Sequence, residues 1–318
     1  MMNFNQPVYK VITIVFCQVI LLSGTGFGQQ FAVTKSEEGV RVIENGKNVL
    51  FYQTHPKSLD GKYERAGYVH PLYGLNGEVL TEDFPDDHPY HHGIFWTWHQ
   101  ILLKDKKVAD AWISENILWK PVSVNVLKAK EHVTLHSVFL WEITGKNIHP
   151  KAVIREDTKI TVHALEGNHR TLDFDIRLFA LVDSLKIGGA DDAKGYGGFC
   201  LRLRLPDDIS FFSGDPVVIP RETAVTAGDW MDFNGSFEGK SFPKTGLAVF
   251  CLPVNDAHTQ QWILRKEKSM QNVVYPGRKP VPLPKKGLRL RYRLIIHNGE
   301  IGNRELEKLY QQYIHTAA

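Results

Sequence analysis

Cysteine is scarce in this chain, at 3 of 318 residues, and no two cysteines stand at CxxC spacing. A dense disulfide scaffold and thiol redox chemistry are both excluded by that count. Charge of one sign is also lacking. The formal net charge is +3, too little to argue for a nucleic-acid partner. After residue 28 no apolar run approaches the roughly 20 residues that a spanning helix needs, so stable membrane insertion is not expected of the mature chain. The HExxH spacing of zinc peptidases is missing. The glycine-rich run Lys194-Gly-Tyr-Gly-Gly198 lacks the spacing and the terminal Lys-Ser/Thr of a phosphate-binding loop. No internal repeat, low-complexity segment or linker suggests a second domain.

The one long apolar run lies at the N-terminus. Lys10 precedes Val11 to Leu22, and small residues Gly26 and Gly28 follow. That order reads as a secretory signal peptide over residues 1–28, cut near Gly28–Gln29, which makes the mature protein secreted or periplasmic. A membrane anchor is the alternative, and a dozen mostly apolar residues is short for it. Cys17 leaves with this segment. Cys200 and Cys251 remain, both in apolar, strand-like surroundings, and read as two buried small hydrophobes, with a disulfide as the alternative.

From Phe31 onward the texture is short alternating runs broken by Gly, Pro, Asn and Asp, the pattern of an all-β protein. Phe31–Lys35, Val40–Ile43 and Asn48–Tyr52 read as an opening meander, with Asn45-Gly46 as a tight hairpin turn. Val133–Ile143 and Arg155–Leu165 alternate as antiparallel partners. In the runs 172–180 and 288–297, apolar residues take one face, while Asp173, Asp175, Arg289, Arg291 and Arg293 take the other. Only the tail, Asn303 to His315, has helical spacing. With 43 % hydrophobic residues, residues 29–318 can bury a large core. One large antiparallel β-sandwich with a short C-terminal helix is the economical architecture, because a half-apolar sheet must cover its apolar face.

The chemistry concentrates in Phe84-Pro-Asp-Asp-His-Pro-Tyr-His-His-Gly-Ile-Phe-Trp-Thr-Trp-His99, which holds four His, two adjacent Asp and two Trp. Imidazoles change charge near neutral pH and also ligate metals. His88, His91 and His92 are candidate acid/base groups, with Asp87 and Asp232 as carboxylate partners. Bracing of a turn by Asp87 and His88 is the structural alternative. A two-carboxylate glycosidase would draw its pair from Asp86, Asp87, Asp175 and Asp232. A lyase on an acidic sugar would use His or Tyr to remove a proton and Arg to neutralise the carboxylate. Two or three of the imidazoles could converge on a divalent metal, but Pro89 and Gly93 break the helix that would align them, and no cofactor is expected. For substrate contacts the candidates are His70, Lys194, Tyr196 and Arg265, with Trp96, Trp230 or Trp262 as a stacking wall. Core packing is the alternative for Trp96 and Trp98, two apart on a strand. The basic faces of Arg202, Arg204, Arg289, Arg291 and Arg293 read as salt-bridged surface or as carboxylate recognition.

Several segments together carry a resemblance. They are Tyr68-Val-His-Pro-Leu-Tyr73, the block Asp87-His-Pro-Tyr-His-His-Gly-Ile-Phe-Trp96, Gly197-Gly-Phe199 with Arg202, Trp230-Met-Asp-Phe-Asn-Gly235 with Leu247–Phe250, Trp262 with Arg265, and Leu288–His297. The chain resembles a bacterial family of unknown function that carries the label methane oxygenase PmoA. The resemblance implies a secreted protein with a supersandwich fold of the galactose-mutarotase-like kind, working in carbohydrate utilisation. It does not imply a membrane oxygenase subunit, since no spanning helix follows the signal. The expectation is a carbohydrate-active enzyme, a glycoside hydrolase or polysaccharide lyase. A non-catalytic carbohydrate-binding protein and a metal-dependent oxidoreductase are the alternatives.

Overall fold

The computed structural model describes residues 30–145, 148–214, 217–240, 242–252, 259–268, 270–299 and 301–317. The expected signal peptide, 1–28, lies outside them. Two large antiparallel sheets dominate. The first has nine strands, in the order Phe31–Lys35, Gly39–Glu44, Lys47–Gln53, Tyr68–Leu72, Ile94–Trp98, Gly197–Leu201, Gln271–Val274, Gln261–Ile263, Val225–Thr226. The second has eight, in the order Ile117–Lys128, His132–Gly145, Ile148–His163, His169–Ala180, Leu288–Asn298, Thr245–Cys251, Trp230–Gly235, Ser210–Phe212. The opening meander forms as read, and its turn has Asn45 at φ 50° and Gly46 at φ 78°, the left-handed pair that a tight hairpin requires. Among the described residues no helix is long and apolar enough to cross a membrane.

The alternation of side chains sets the layers. Trp96, Trp98 and Phe199 of the nine-stranded sheet and Trp141, Phe174 and Tyr292 of the eight-stranded sheet all enter one core. Phe199 stacks on Tyr292 at 4.2 Å, and Phe174 meets Phe199 at 5.3 Å. A polar tie crosses the same interface. Buried Glu156 accepts the indole N–H of Trp96 and of Trp141, each at 2.9 Å, through one carboxylate oxygen.

Outside the sandwich the two sheets differ. On the eight-stranded sheet, Arg289 pairs with Asp175 and Arg293 with Asp173, so these arginines take the salt-bridged reading. The helix Asn303–Ala317 lays Leu306, Tyr310 and Tyr313 over Trp230, Phe250 and Ile295 of that face. On the nine-stranded sheet, Tyr68, Phe95 and Cys200 point away from the core and are covered by Trp112 and Met270, with Tyr90 and Tyr196 alongside. That covered outer face is the floor of the candidate site. Cys200 and Cys251 are both free and buried, as the first of the two cysteine readings had it.

Candidate functional site

The His-rich stretch is neither helix nor, before Ile94, strand. Backbone N–H groups of His88 and His91 bond the carbonyls of Pro85 and His88, giving two successive turns. A bridge between Asp83 and His92 closes their base. Gly93 then passes so near the Tyr68–Leu72 strand that an added Cβ would lie 2.0 Å from the Val69 carbonyl oxygen. A side chain at 93 would push the whole turn off the sheet.

This folding sorts the imidazoles. His92 is sealed, with Nδ1 2.8 Å from Asp83 and its ring among Tyr68, Phe84 and Phe95. Burial lowers its pKa against the pull of Asp83, so it stays neutral and out of reach of a ligand. His91 is buried on Trp112. Burial, then His88 and Arg202, lower it to about 2, so it is a neutral ring at any ordinary pH. His88 is different, because its side chain is 36 % exposed and Nδ1 lies 2.7 Å from Asp87. It stacks on His91 at 4.7 Å and meets Tyr90 edge-on at 5.7 Å.

Asp87 is fixed from beneath. Arg202, itself buried, donates to both of its oxygens at 2.7 and 3.1 Å, and through Nε to Glu82 at 2.8 Å. Burial pushes the Asp87 carboxyl up, but hydrogen bonds from His88 and Arg202 outweigh it and hold the pKa at about 2. An ionised carboxylate only accepts, so Nδ1 of His88 carries the proton and Nε2 the lone pair. The arrangement is a base oriented by an acid, with the acid clamped by a cation.

Its folded pKa lies below the ordinary aspartate value of about 3.9, so the stability that Asp87 contributes is complete above about pH 4 and is lost as pH falls through 2. Asp87→Asn is therefore expected to unfold at lower urea than the parent at pH 7, with the two midpoints converging between about pH 4 and 2. A gap that persisted unchanged at pH 2 would contradict the clamp.

Beside the dyad lies a cleft of about 500 Å³ lined by His70, Glu82, Asp86, Asp87, Arg204 and Lys268, among others. Arg204 and Lys268 are exposed. Burial lowers His70 to about 4, and its Nδ1 lies 2.9 Å from the Thr81 hydroxyl. Of the expected groups, His70 and Asp87 line this cleft, while His88 and His91 adjoin it through Asp87 and through each other, and His92 is sealed on Asp83.

Several others do not join them. Asp232 is buried on the eight-stranded sheet, 3.1 Å from Nε2 of His297, because alternation along Trp230–Gly235 turns it away from the core. None of the three proposed tryptophans offers a free face. Trp96 lies in the core on Glu156, Trp230 is packed beneath the C-terminal helix with its N–H on Glu307, and Trp262 is buried with its N–H on the Gly228 carbonyl. Arg265 spends its guanidinium on the carbonyls of Arg221, Glu222 and Leu264, while Lys194 lines a separate groove. Asp175 is engaged by Arg289.

The aromatic surface comes instead from Tyr63, Tyr90, His99 and Tyr196 around Trp112. Trp112 is held by Asp110, which accepts its backbone N–H at 3.0 Å and also pairs with His99. The Asp110-Ala-Trp-Ile113 turn was the available signal for it. Among the described residues no group of three or more His, Cys, Asp or Glu is arranged to hold a metal ion.

No curated protein matches the chain. Among solved structures, the GalM/aldose epimerase homologue from C. elegans aligns over 86 % of this chain and 100 % of its own, at 8 % identity and a TM-score of 0.28. That overlap is too loose to carry an argument about fold or activity. Residues 39–311 match the family described as "Family of unknown function (DUF6807)", and the chain belongs to that family.

Proposed function

We propose that this protein is a secreted or periplasmic carbohydrate-active enzyme of the lyase type, acting on an acidic sugar chain. The observation that carries the reading is the half-exposed His88 imidazole, oriented by Asp87, with the Tyr90 phenol packed against it. Nε2 of His88 takes the proton from the carbon next to the sugar carboxylate. The exposed cations Arg204 and Lys268 hold that carboxylate and stabilise the charge that develops on it. The electron pair forms a C=C bond as the glycosidic C–O bond breaks, and the Tyr90 hydroxyl protonates the departing oxygen. Burial first, and then Tyr63 and Asp87, raise the Tyr90 pKa, so the phenol keeps its proton at neutral pH.

Hydrolysis by two carboxylates fits less well. One of the pair must hold a proton near neutrality, whereas of the candidate carboxylates Asp87 and Asp175 are both held below the ordinary carboxylate range by hydrogen-bond partners that overcome their burial, and Asp175 and Asp232 lie on the other sheet. Incubation of the purified protein with neutral and acidic glycans, followed by mass spectrometry, separates the readings. The expected result is an unsaturated product from a uronate-containing glycan with no gain of water. A product heavier by water would overturn elimination in favour of hydrolysis. Tight binding with no product from any glycan would make the protein a carbohydrate-binding one.

A further inference from the structure

A second groove, of about 580 Å³, lies across one loop from the cleft. Leu264, Arg265 and Lys266 face this groove, and Lys268, two residues on, lines the cleft beside Asp87. The two hollows are therefore the two sides of a single ridge.

A row of rings runs from the His88 turn to this ridge, with its middle members His91 and Trp112 buried. His88 stacks on His91 at 4.7 Å, His91 meets Trp112 at 5.8 Å, and Trp112 meets Tyr196 at 5.2 Å. The guanidinium of Arg265 then lies 5.6 Å over Tyr196. Arg265 also donates to the carbonyls of Arg221 and Glu222 at 2.7 Å each, which ties the far wall of the groove to the ridge. The groove is thus held in shape by the same side chain that ends the row of rings.

Its charge is one-sided. Lys194, Arg221 and Lys266 are exposed around it, and among its described lining residues Glu222 is the one acid. The cleft, by contrast, mixes Arg204 and Lys268 with Glu82, Asp86 and Asp87. Exposed cations gathered across one ridge from a cleft that itself carries cations suit a ligand that repeats its negative charge along its length.

We infer that the second groove is a further subsite, which binds carboxylates of neighbouring units, so that the substrate is a polyanionic glycan of several units and not an isolated acidic sugar. This inference rests on the reading of the cleft as an acidic-sugar site. Its test is calorimetric binding of galacturonate oligomers of two and eight units. The wild-type protein is expected to bind the octamer about tenfold more tightly than the dimer, or better, because a second engaged site multiplies the affinity of the first. The combined variant Lys194→Gln, Arg221→Gln, Lys266→Gln is expected to keep its dimer affinity and lose that gain.

A measurement without mutation accompanies it. Added salt should weaken octamer binding by the wild type more steeply than dimer binding, since more exposed ion pairs are screened. The inference is overturned if the variant retains the length-dependent gain, if wild type binds both oligomers alike, if neutral maltooctaose binds as tightly as the acidic octamer, or if no galacturonate oligomer binds. Because binding is read and not turnover, bound oligomer without product would count against the proposed elimination alone.

Discussion

His88→Gln is expected to lower kcat on a uronate-containing glycan by about 10²–10⁴-fold, the usual contribution of a positioned base. KM should change little, because the imidazole acts on a proton that moves only in the transition state. Folding should be nearly untouched, within about 0.5 kcal/mol, since the side chain is half exposed and its one strong partner, Asp87, keeps Arg202. A structural ring would behave in the opposite way, with stability falling and kcat following it. The rate of unsaturated product formation, measured beside a urea unfolding curve on the same variant, decides between the two. Asp87→Asn extends the test. An amide in place of the carboxylate no longer fixes the proton on Nδ1, so kcat should fall in this variant too, with His88 still present.

Glu156→Ala should have the largest effect on stability, a loss of about 3–5 kcal/mol. Glu156 is almost wholly buried, and it accepts two indole N–H groups from opposite sheets and the Thr158 hydroxyl at 2.9 Å. It also faces Arg65, whose guanidinium is buried over the rings of Phe95 at 4.7 Å and Trp119 at 4.2 Å. Alanine would leave three donors without an acceptor and a cavity between the sheets. Glu156→Gln should cost far less. Burial already raises the pKa of this carboxyl, and the amide oxygen can still accept both indoles. Denaturant midpoints for the two variants check this, and equal losses would show that shape, not hydrogen bonding, makes the tie.

Periodicity in the sequence was enough to read the sandwich. A strand carries its burial pattern in alternate residues, so the runs 133–143, 155–165, 172–180 and 288–297 place their apolar faces as the structure has them, and the tail helix begins at Asn303. The His-rich turn was legible as a locus because composition alone marks it. Which of its imidazoles meets solvent was not. That depends on Arg202, more than a hundred residues away, which rises from the end of the Gly197–Leu201 strand to fix Asp87. The tryptophans misled for a related reason. Trp230 and Trp262 stand among polar neighbours in sequence, yet each lies on a strand whose alternation and long-range cover bury it. Trp112, by contrast, sits in a loop, where no periodicity announces which surface it covers. Glu156 reads in sequence as one more charge on an alternating strand, because nothing local reveals two indoles converging on it.

On the proposed mechanism, His88 is the one imidazole of the Asp87–His92 turn that meets the ligand. Histidine-labelled protein titrated with a galacturonate dimer and followed through the ring nitrogen signals tests it directly. A saturable shift is expected in the His88 signals, with those of buried His92 and distant His297 unmoved. Saturable binding that left His88 unchanged, or that moved His297 instead, would contradict it.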